Sequence, residues 1–344
     1  MPYQEVKKYM KGCFVGKKNS DKLFYVYDSG RRELFKREIE IYPEIINKDN
    51  LEQNKEYLKQ VEIILSTWGM ESFTGEQLDK YFPNLKAVFY AAGSVRYFAL
   101  PFLERGVKII SAWGAMAIPV AEFTVGEILL ANKGYYIAMS RYKKYGYENS
   151  HDLSTMKFPG TYGTKVGILG AGMIGSRVIK MLKNHNVELM VFDPFMSELK
   201  ADNLGVKNFS LEEVFAECQT ISNHIANNAQ TVGMLDYKLF SLMKDNAAFI
   251  NTGRGAQVVE EDLARALKEK PDRCAILDVT WPEPCPKDHE FWKLPNVFIS
   301  PHIAGYASAE VGRMADYMLK ELKGFIAGEK LQYEVSIPML STMA

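Results

Sequence analysis

Short β-rich runs alternate with stretches of helical period along most of the 344-residue chain. In the N-terminal third, Leu23 to Tyr27, Glu62 to Leu65, Ala87 to Phe89 and Val107 to Ile110 read as strands. Leu51 to Lys59, Gly75 to Tyr81 and Arg96 to Glu104 lie between them and read as helices. Such alternation predicts a parallel sheet wrapped by helices. A longer helical pattern runs from Pro119 to about Tyr145, with Phe123, Ile128 and Leu129 on an apolar stripe. Pro119 in its first turn costs no hydrogen bond, because an N–H there has no intrahelical partner. The polar stretch Glu148 to Gly163, with Pro159, Gly160 and Gly163, reads as a linker.

A second series follows. Lys165 to Leu169, Glu188 to Phe192, Ala247 to Ile250, Cys274 to Leu277 and Val297 to Ile299 read as strands, separated by helical stretches such as Glu260 to Lys270. A last helix, about Ser308 to Ala327, precedes a mostly apolar tail, Val335 to Ala344. The pattern predicts an α/β protein of two doubly wound parallel-sheet domains. The second is inserted in the first, to which the C-terminal helix returns.

Composition narrows the class. Forty-two basic and forty-two acidic side chains cancel, so no basic excess points to nucleic acid or an anionic membrane surface. The lysine-studded residues 1–20 hold no apolar run of secretory type, and no uninterrupted apolar stretch long enough to cross a bilayer stands out elsewhere. The four cysteines, Cys13, Cys218, Cys274 and Cys285, form no CxxC pair and read as reduced thiols in a cytoplasmic protein. No Cys or His pair sits at zinc-ligand spacing, so no metal site is expected.

The strand Lys165 to Leu169 runs directly into Gly170-Ala171-Gly172-Met173-Ile174-Gly175, and the residues after it, Ser176 to Lys183, have helical period. In this GxGxxG the first glycine permits the tight turn and the second lets the backbone approach a pyrophosphate. The third lets helix and strand pack closely. The pyrophosphate would rest on the unpaired N–H groups of the helix N-terminus. Asp193, 18 residues past Gly175 at the end of the next strand, is placed to bond the ribose hydroxyls. Its charge would repel a 2′-phosphate, and Pro194 and Phe195 offer no arginine to receive one. The motif therefore predicts a Rossmann domain that binds NAD, with NADP disfavoured.

Three further segments carry candidate chemistry. Asn251-Thr252-Gly253-Arg254-Gly255 puts an arginine just beyond a strand, where open α/β sheets bind ligands and where its fork of donors suits a carboxylate. Asp278-Val279-Thr280-Trp281-Pro282-Glu283-Pro284 also follows a strand, as does Ser300-Pro301-His302-Ile303-Ala304-Gly305. A lone histidine is usually a packing group; what lifts His302 is its strand-end place, with an acid, Glu283, 19 residues earlier. His151, His185 and His289 fall in polar loops and are assigned nothing, and His224 reads as structural.

These motifs, in this order and spacing, resemble the D-isomer-specific 2-hydroxyacid dehydrogenases from about Ala87 to Met343, most densely between Val166 and Gly305. The resemblance implies a Rossmann NAD-binding domain, residues 113–305, inserted in a flavodoxin-like substrate domain, residues 1–112 and 306–344. It implies hydride transfer between NAD(H) and a small 2-hydroxy or 2-keto acid. His302 would be the general acid/base and Glu283 its partner, favouring the imidazolium and fixing its tautomer, while Arg254 holds the substrate. Asp278 is implied near the nicotinamide amide, Thr252, Ile225 and Gly305 beside the cofactor, and Met173 and Ile174 along the pyrophosphate loop. Gly93 and Ser94 would offer N–H donors to the substrate carboxylate, with Trp68 as an opposite wall, and the helix from Pro119 implies a homodimer.

The match departs from the family in places. Val95 stands for a glycine, Arg96 for a small or apolar residue, and Ala226-Asn227 lacks the usual proline. Trp113 and Trp281 also replace more usual residues, as packing groups or as an apolar pocket lining. An NAD(H)-sensing regulatory protein on the same fold is the alternative, and the intact Arg254, Glu283 and His302 favour the enzyme. Formate oxidation would need no general acid/base, and the family members that perform it carry glutamine in place of Glu283.

Overall fold

The computed structural model describes residues 9–18, 21–147 and 157–341. The chain divides into two compact units, one of residues 1–116 with 306–343 and one of residues 117–305. The first begins with β1 (Lys11–Phe14), α1 (Lys22–Val26), α2 (Ser29–Lys36) and β2 (Glu40–Ile41). It continues through α3 (Lys55–Leu58), β3 (Ile63–Ser66), α4 (Gly75–Tyr81), β4 (Ala87–Tyr90), α5 (Leu100–Leu103) and β5 (Lys108–Ser111). α6 (Trp113–Asn132) leads into the second unit and is followed by α7 (Tyr135–Tyr145).

The second unit holds β6 (Thr164–Leu169), α8 (Met173–Leu182), β7 (Val187–Phe192), α9 (Glu198–Leu204), α10 (Leu211–Glu217) and β8 (Thr220–Asn223). Then come α11 (Tyr237–Leu242), β9 (Ala248–Asn251), α12 (Glu260–Glu269), β10 (Cys274–Leu277) and β11 (Val297–Ile299). The chain returns to the first unit with α13 (Ser308–Ile326) and β12 (Glu334–Val335).

The first sheet has the order β12-β5-β4-β3-β1-β2, parallel apart from β12. Without β12 this is the flavodoxin-like order 2-1-3-4-5. Its central strands β3 and β4 are buried at every residue, as expected of a parallel sheet covered on both faces. Their registered ends, Ser66 beside Tyr90 and Tyr90 beside Ser111, bring Thr67-Trp68 and the loop from Ala91 to the same edge.

The second sheet, β11-β10-β9-β8-β6-β7, is parallel throughout. Asn208 bridges Val191 of edge strand β7, where the third strand of a full Rossmann half would lie. In this sheet Phe192, Leu169, Asn223, Asn251, Leu277 and Ile299 stand side by side. The residues that follow, Asp193, Gly170, His224, Thr252, Asp278 and Ser300, therefore form one row along the carboxyl edge.

Several elements differ from the sequence expectation. Leu23 to Tyr27 is helical: Leu23 and Val26, three apart, are buried while Phe24 and Tyr25 face out, which is a helical period and not alternation. The first strand lies instead at Lys11–Phe14, within the lysine-studded residues 1–20, and β8 escaped the pattern because its apolar content is one isoleucine. Helix between Arg96 and Glu104 is confined to Leu100–Leu103, with Pro101 in its first turn, where the missing N–H costs no hydrogen bond. Only Lys55–Leu58 of the stretch from Leu51 is α-helical.

The long pattern from Pro119 starts six residues earlier, at Trp113, with Pro119 inside the helix, and breaks at Gly134, whose φ is 67°. α6 is also long and apolar enough to cross a membrane, which the sequence reading passed over; 56% of that stretch is buried inside the protein. Of the expected linker, residues 148–156 lie outside the described residues.

Candidate active site

The glycine loop is built as its three tasks require. Gly170 has a φ of 87°, and a Cβ there would meet the His224 carbonyl oxygen at 2.8 Å. A Cβ on Gly175 would lie 1.9 Å from the Gly170 oxygen, so only glycine lets α8 start this close to β6. Around Gly172 nothing lies within 4 Å. It is the N-cap of α8, and it and Met173 are exposed while Ile174 is half-buried. A helix N-terminus with open space over its second glycine fits a pyrophosphate. Asp193, 7% exposed, accepts from the N–H of Ala171 at 2.9 Å and of Phe195 at 2.8 Å. It thus braces the glycine loop, a task the sequence did not reveal. Asn208 in turn holds the Asp193 backbone N–H and carbonyl, at 2.9 and 3.0 Å.

Along the same edge, Ile225 accepts from the Gln257 side chain at 2.6 Å. The Thr252 hydroxyl is paired with that of Thr124 at 3.0 Å. His224 lies against Ser222, 3.0 Å away, and burial holds its imidazole down to about 3, so it is neutral. It supplies packing.

Arg254 is fixed from its own strand end: the Asn251 side chain donates to the Arg254 carbonyl at 3.0 Å and accepts from Gly253 N–H at 3.0 Å. The guanidinium donates through Nη1 to the Gly253 carbonyl at 2.7 Å. Among the described residues no carboxylate pairs with it. Burial pulls its pKa down and the Glu283 charge pulls it back; an arginine still remains cationic. The result is a half-buried cation with donors to spare.

His302 Nδ1 lies 2.5 Å from Glu283 Oε1. His302 also has a φ of 55°, a left-handed conformation that a non-glycine residue adopts only where its surroundings impose it. Asp278 imposes it. This carboxylate, 2% exposed, accepts from the Ser300 hydroxyl at 2.5 Å and from the N–H groups of Ile303 and Ala304 at 2.8 and 2.9 Å. It therefore grips the chain on both sides of His302, with Gly305 just beyond. A cavity of about 250 Å³ adjoins the dyad, lined by Glu283, His302, Pro284, Cys285, Trp292 and Ile299 among others.

In the first unit, the carbonyls of Ala91, Ala92 and Gly93 turn inward to Thr67 and Ser111 at 2.5–2.8 Å. The N–H groups of Gly93 and Ser94 have no acceptor among the described residues. Trp68 packs on Tyr306, ring centroids 5.5 Å apart. Trp113 packs edge-on against Tyr333, and the Trp281 side chain is 64% exposed. The structure thus gathers Arg254, Glu283, His302, Asp278 and the glycine loop on one sheet edge, and holds Gly93, Ser94 and Trp68 in the other unit. His289, assigned nothing from sequence, meets the buried Glu260; His151 lies outside the described residues.

The fold and this edge define a two-domain α/β protein with a dinucleotide-binding sheet. Residues 126–304 match the family model for the D-isomer specific 2-hydroxyacid dehydrogenase, NAD binding domain. The chain belongs to the D-isomer-specific 2-hydroxyacid dehydrogenase family. It is 34% identical over 206 residues to the Bacillus subtilis protein YoaD, 59% of each chain. To the glyoxylate reductase of Korarchaeum cryptofilum it is 30% identical over 250 residues, 72% of this chain and 75% of that one. The chain thus spans about three fifths of the length of YoaD. Among solved structures, a phosphoglycerate oxidoreductase from Rhizobium etli superposes with a TM-score of 0.80 at 20% identity, over 97% of this chain and 100% of that one.

Proposed function

We propose that the protein transfers a hydride between NAD(H) and a small 2-hydroxy acid or its 2-keto counterpart. The observation that carries this reading is the His302–Glu283 pair, 2.5 Å apart at the carboxyl edge of the dinucleotide-binding sheet, with Arg254 within the electrostatic reach of Glu283.

The glycine loop with Met173 and Ile174, together with Asp193, Ile225, Thr252, Asp278 and Gly305, would hold the cofactor. NAD(H), when bound, supplies the hydride in reduction and takes it in oxidation. Glu283 occupies Nδ1 of His302, which leaves Nε2 as the working atom. In reduction Nε2–H gives its proton to the substrate carbonyl oxygen; in oxidation neutral Nε2 takes the hydroxyl proton. Arg254 binds the carboxylate or carbonyl oxygen and stabilises the negative charge that gathers there in the transition state, an effect strengthened by its partial burial. Gly93 and Ser94 would give N–H donors to the substrate carboxylate, with Trp68 forming an apolar wall.

NADH is the proposed cofactor in preference to NADPH, on the charge of Asp193. Among the described residues Asp193 forms an ion pair with Lys200, with Nζ 3.8 Å from Oδ2. We further propose a cytoplasmic homodimer that pairs through α7, whose Tyr135, Met139 and Tyr142 are exposed.

Variants test the assignment. His302→Ala should lose on the order of 10²- to 10⁴-fold in kcat, the range of a positioned acid/base, with NADH affinity by fluorescence titration nearly intact. Arg254→Ala should raise the KM of the keto acid and lower kcat together. Loss of NADH affinity in step with kcat in His302→Ala would make His302 a structural residue.

A further inference from the structure

The loop that carries Glu283 is closed at both ends through a pair of ionisable side chains outside the site described above. Glu260, the first residue of α12, is 6% exposed. Its Oε1 accepts from the backbone N–H of Trp281 at 2.8 Å. Its Oε2 lies 3.2 Å from His289 Nε2, an ion-pair approach without hydrogen-bond geometry, and among the described residues accepts no hydrogen bond. His289 Nδ1 accepts from Phe291 N–H at 3.3 Å, which leaves the ring proton on Nε2, toward Glu260. At the far end of the loop, the Pro286 carbonyl accepts from His289 N–H at 3.1 Å and from the Trp292 indole at 2.8 Å. Trp281 and Pro286 are thereby joined through Glu260 and His289, and Glu283 lies between them.

The same segment locks the arginine. A Cβ on Gly255 would come 2.1 Å from the Thr280 carbonyl carbon. The turn holding Arg254 therefore rests on the backbone that leads to Glu283.

We propose that Glu260 and His289 are a positioning pair for the reaction: they hold the Trp281–Pro286 loop so that the Glu283 carboxylate meets His302 Nδ1. An apolar residue at Glu260 would orphan the Trp281 N–H and remove the carboxylate beside His289 Nε2, and a donor left unpaired in a partly buried place is costly. Two more acids follow it in α12, an exposed Glu261 and a half-buried Asp262, so a favourable charge at the helix N-terminus does not require Glu260 to turn inward. The arrangement of donors does.

The proposal rests on His302 and Glu283 acting as described under the proposed function, and the experiment separates the two. Glu260→Ala, Glu260→Gln, His289→Ala and His302→Ala are compared with wild type, using NADH and the 2-keto acid that turns over fastest. Glu260→Ala and His289→Ala should each lower kcat by about 10- to 100-fold, the cost of misplacing a catalytic group by about an ångström. The KM of the keto acid and the Kd of NADH should stay within a few-fold. Glu260→Gln, whose amide oxygen can still accept from Trp281 while its NH2 faces the His289 Nε2–H, should recover part of the loss. If Glu260→Ala does not fold, His289→Ala and Glu260→Gln carry the comparison. Wild-type kcat in folded His289→Ala, or a Glu260→Gln no better than Glu260→Ala, overturns the proposal. Full turnover in His302→Ala overturns instead the reading beneath it.

Discussion

His302 occupies a left-handed backbone conformation because Asp278 binds the residues on either side of it. Asp278→Ala should therefore do two things at once. Two backbone N–H groups and a hydroxyl lose their acceptor, at about 1–3 kcal/mol for each buried orphan, and kcat should fall as far as in His302→Ala. Denaturant unfolding beside steady-state kinetics checks this; a stable, fully active variant contradicts it. Glu260 gives a pH dependence. Burial raises its carboxyl from the ordinary value to about 7. Below about pH 4.5 both folded and unfolded chains hold this proton. Between there and pH 7 the folded state keeps it longer, so stability falls as pH rises through that window. Glu260→Gln removes this titration, and its melting temperature relative to wild type should climb from about pH 5 to about pH 8. At about 1.4 kcal/mol per unit and 2–4 °C per kcal/mol the gain is several degrees; a difference flat with pH contradicts it. Arg254, Glu283 and His302 could be nominated as candidates from sequence because each follows a strand within a spaced motif. Glu260 was not: in Val259-Glu260-Glu261-Asp262 it reads as one more acid at a helix start.

At the scale of elements, the β6–α8 turn separates folding from binding. Gly172→Ala places its Cβ in open space and should leave the melting temperature unchanged, yet it should weaken NADH binding, because that space is where the pyrophosphate of the proposed cofactor would come closest. Gly175→Ala drives a Cβ into the Gly170 carbonyl, and should cost stability by about 1–3 kcal/mol or more as well as NADH affinity. Calorimetry and fluorescence titration of both variants check the contrast; wild-type NADH affinity in a stable Gly172→Ala would mean the loop holds no pyrophosphate. The turn was legible because three glycines, a strand and a helix agree. α1 was misread because an aromatic pair, Phe24-Tyr25, mimics strand composition while burial follows Leu23 and Val26. The break between α6 and α7 depends on one residue, Gly134, which a smooth apolar pattern hides.

Across the whole molecule, the residues of α13 group with the first unit, and each sheet's main run of strands is parallel, which requires crossover connections of the βαβ kind. Strand β12, two residues long and antiparallel, has no sequence signature; the buried Glu321 ties down the chain leading to it, accepting from the N–H groups of Gln332 and Tyr333. The proposed dimer is tested by Met139→Glu with Tyr142→Glu on α7. Light scattering at micromolar concentration should give twice the chain mass for wild type and a monomer for the double variant, and a monomeric wild type contradicts the pairing.

The central claim, hydride transfer to a 2-keto acid, is tested most directly by NADH absorbance. Wild type and His302→Ala are mixed with a panel running from glyoxylate and hydroxypyruvate to phenylpyruvate. NADH oxidation with at least one member is predicted for wild type, and a rate lower by on the order of 10²- to 10⁴-fold for the variant. Tight NADH binding with no turnover of any member would contradict the enzyme and leave a protein that senses the cofactor.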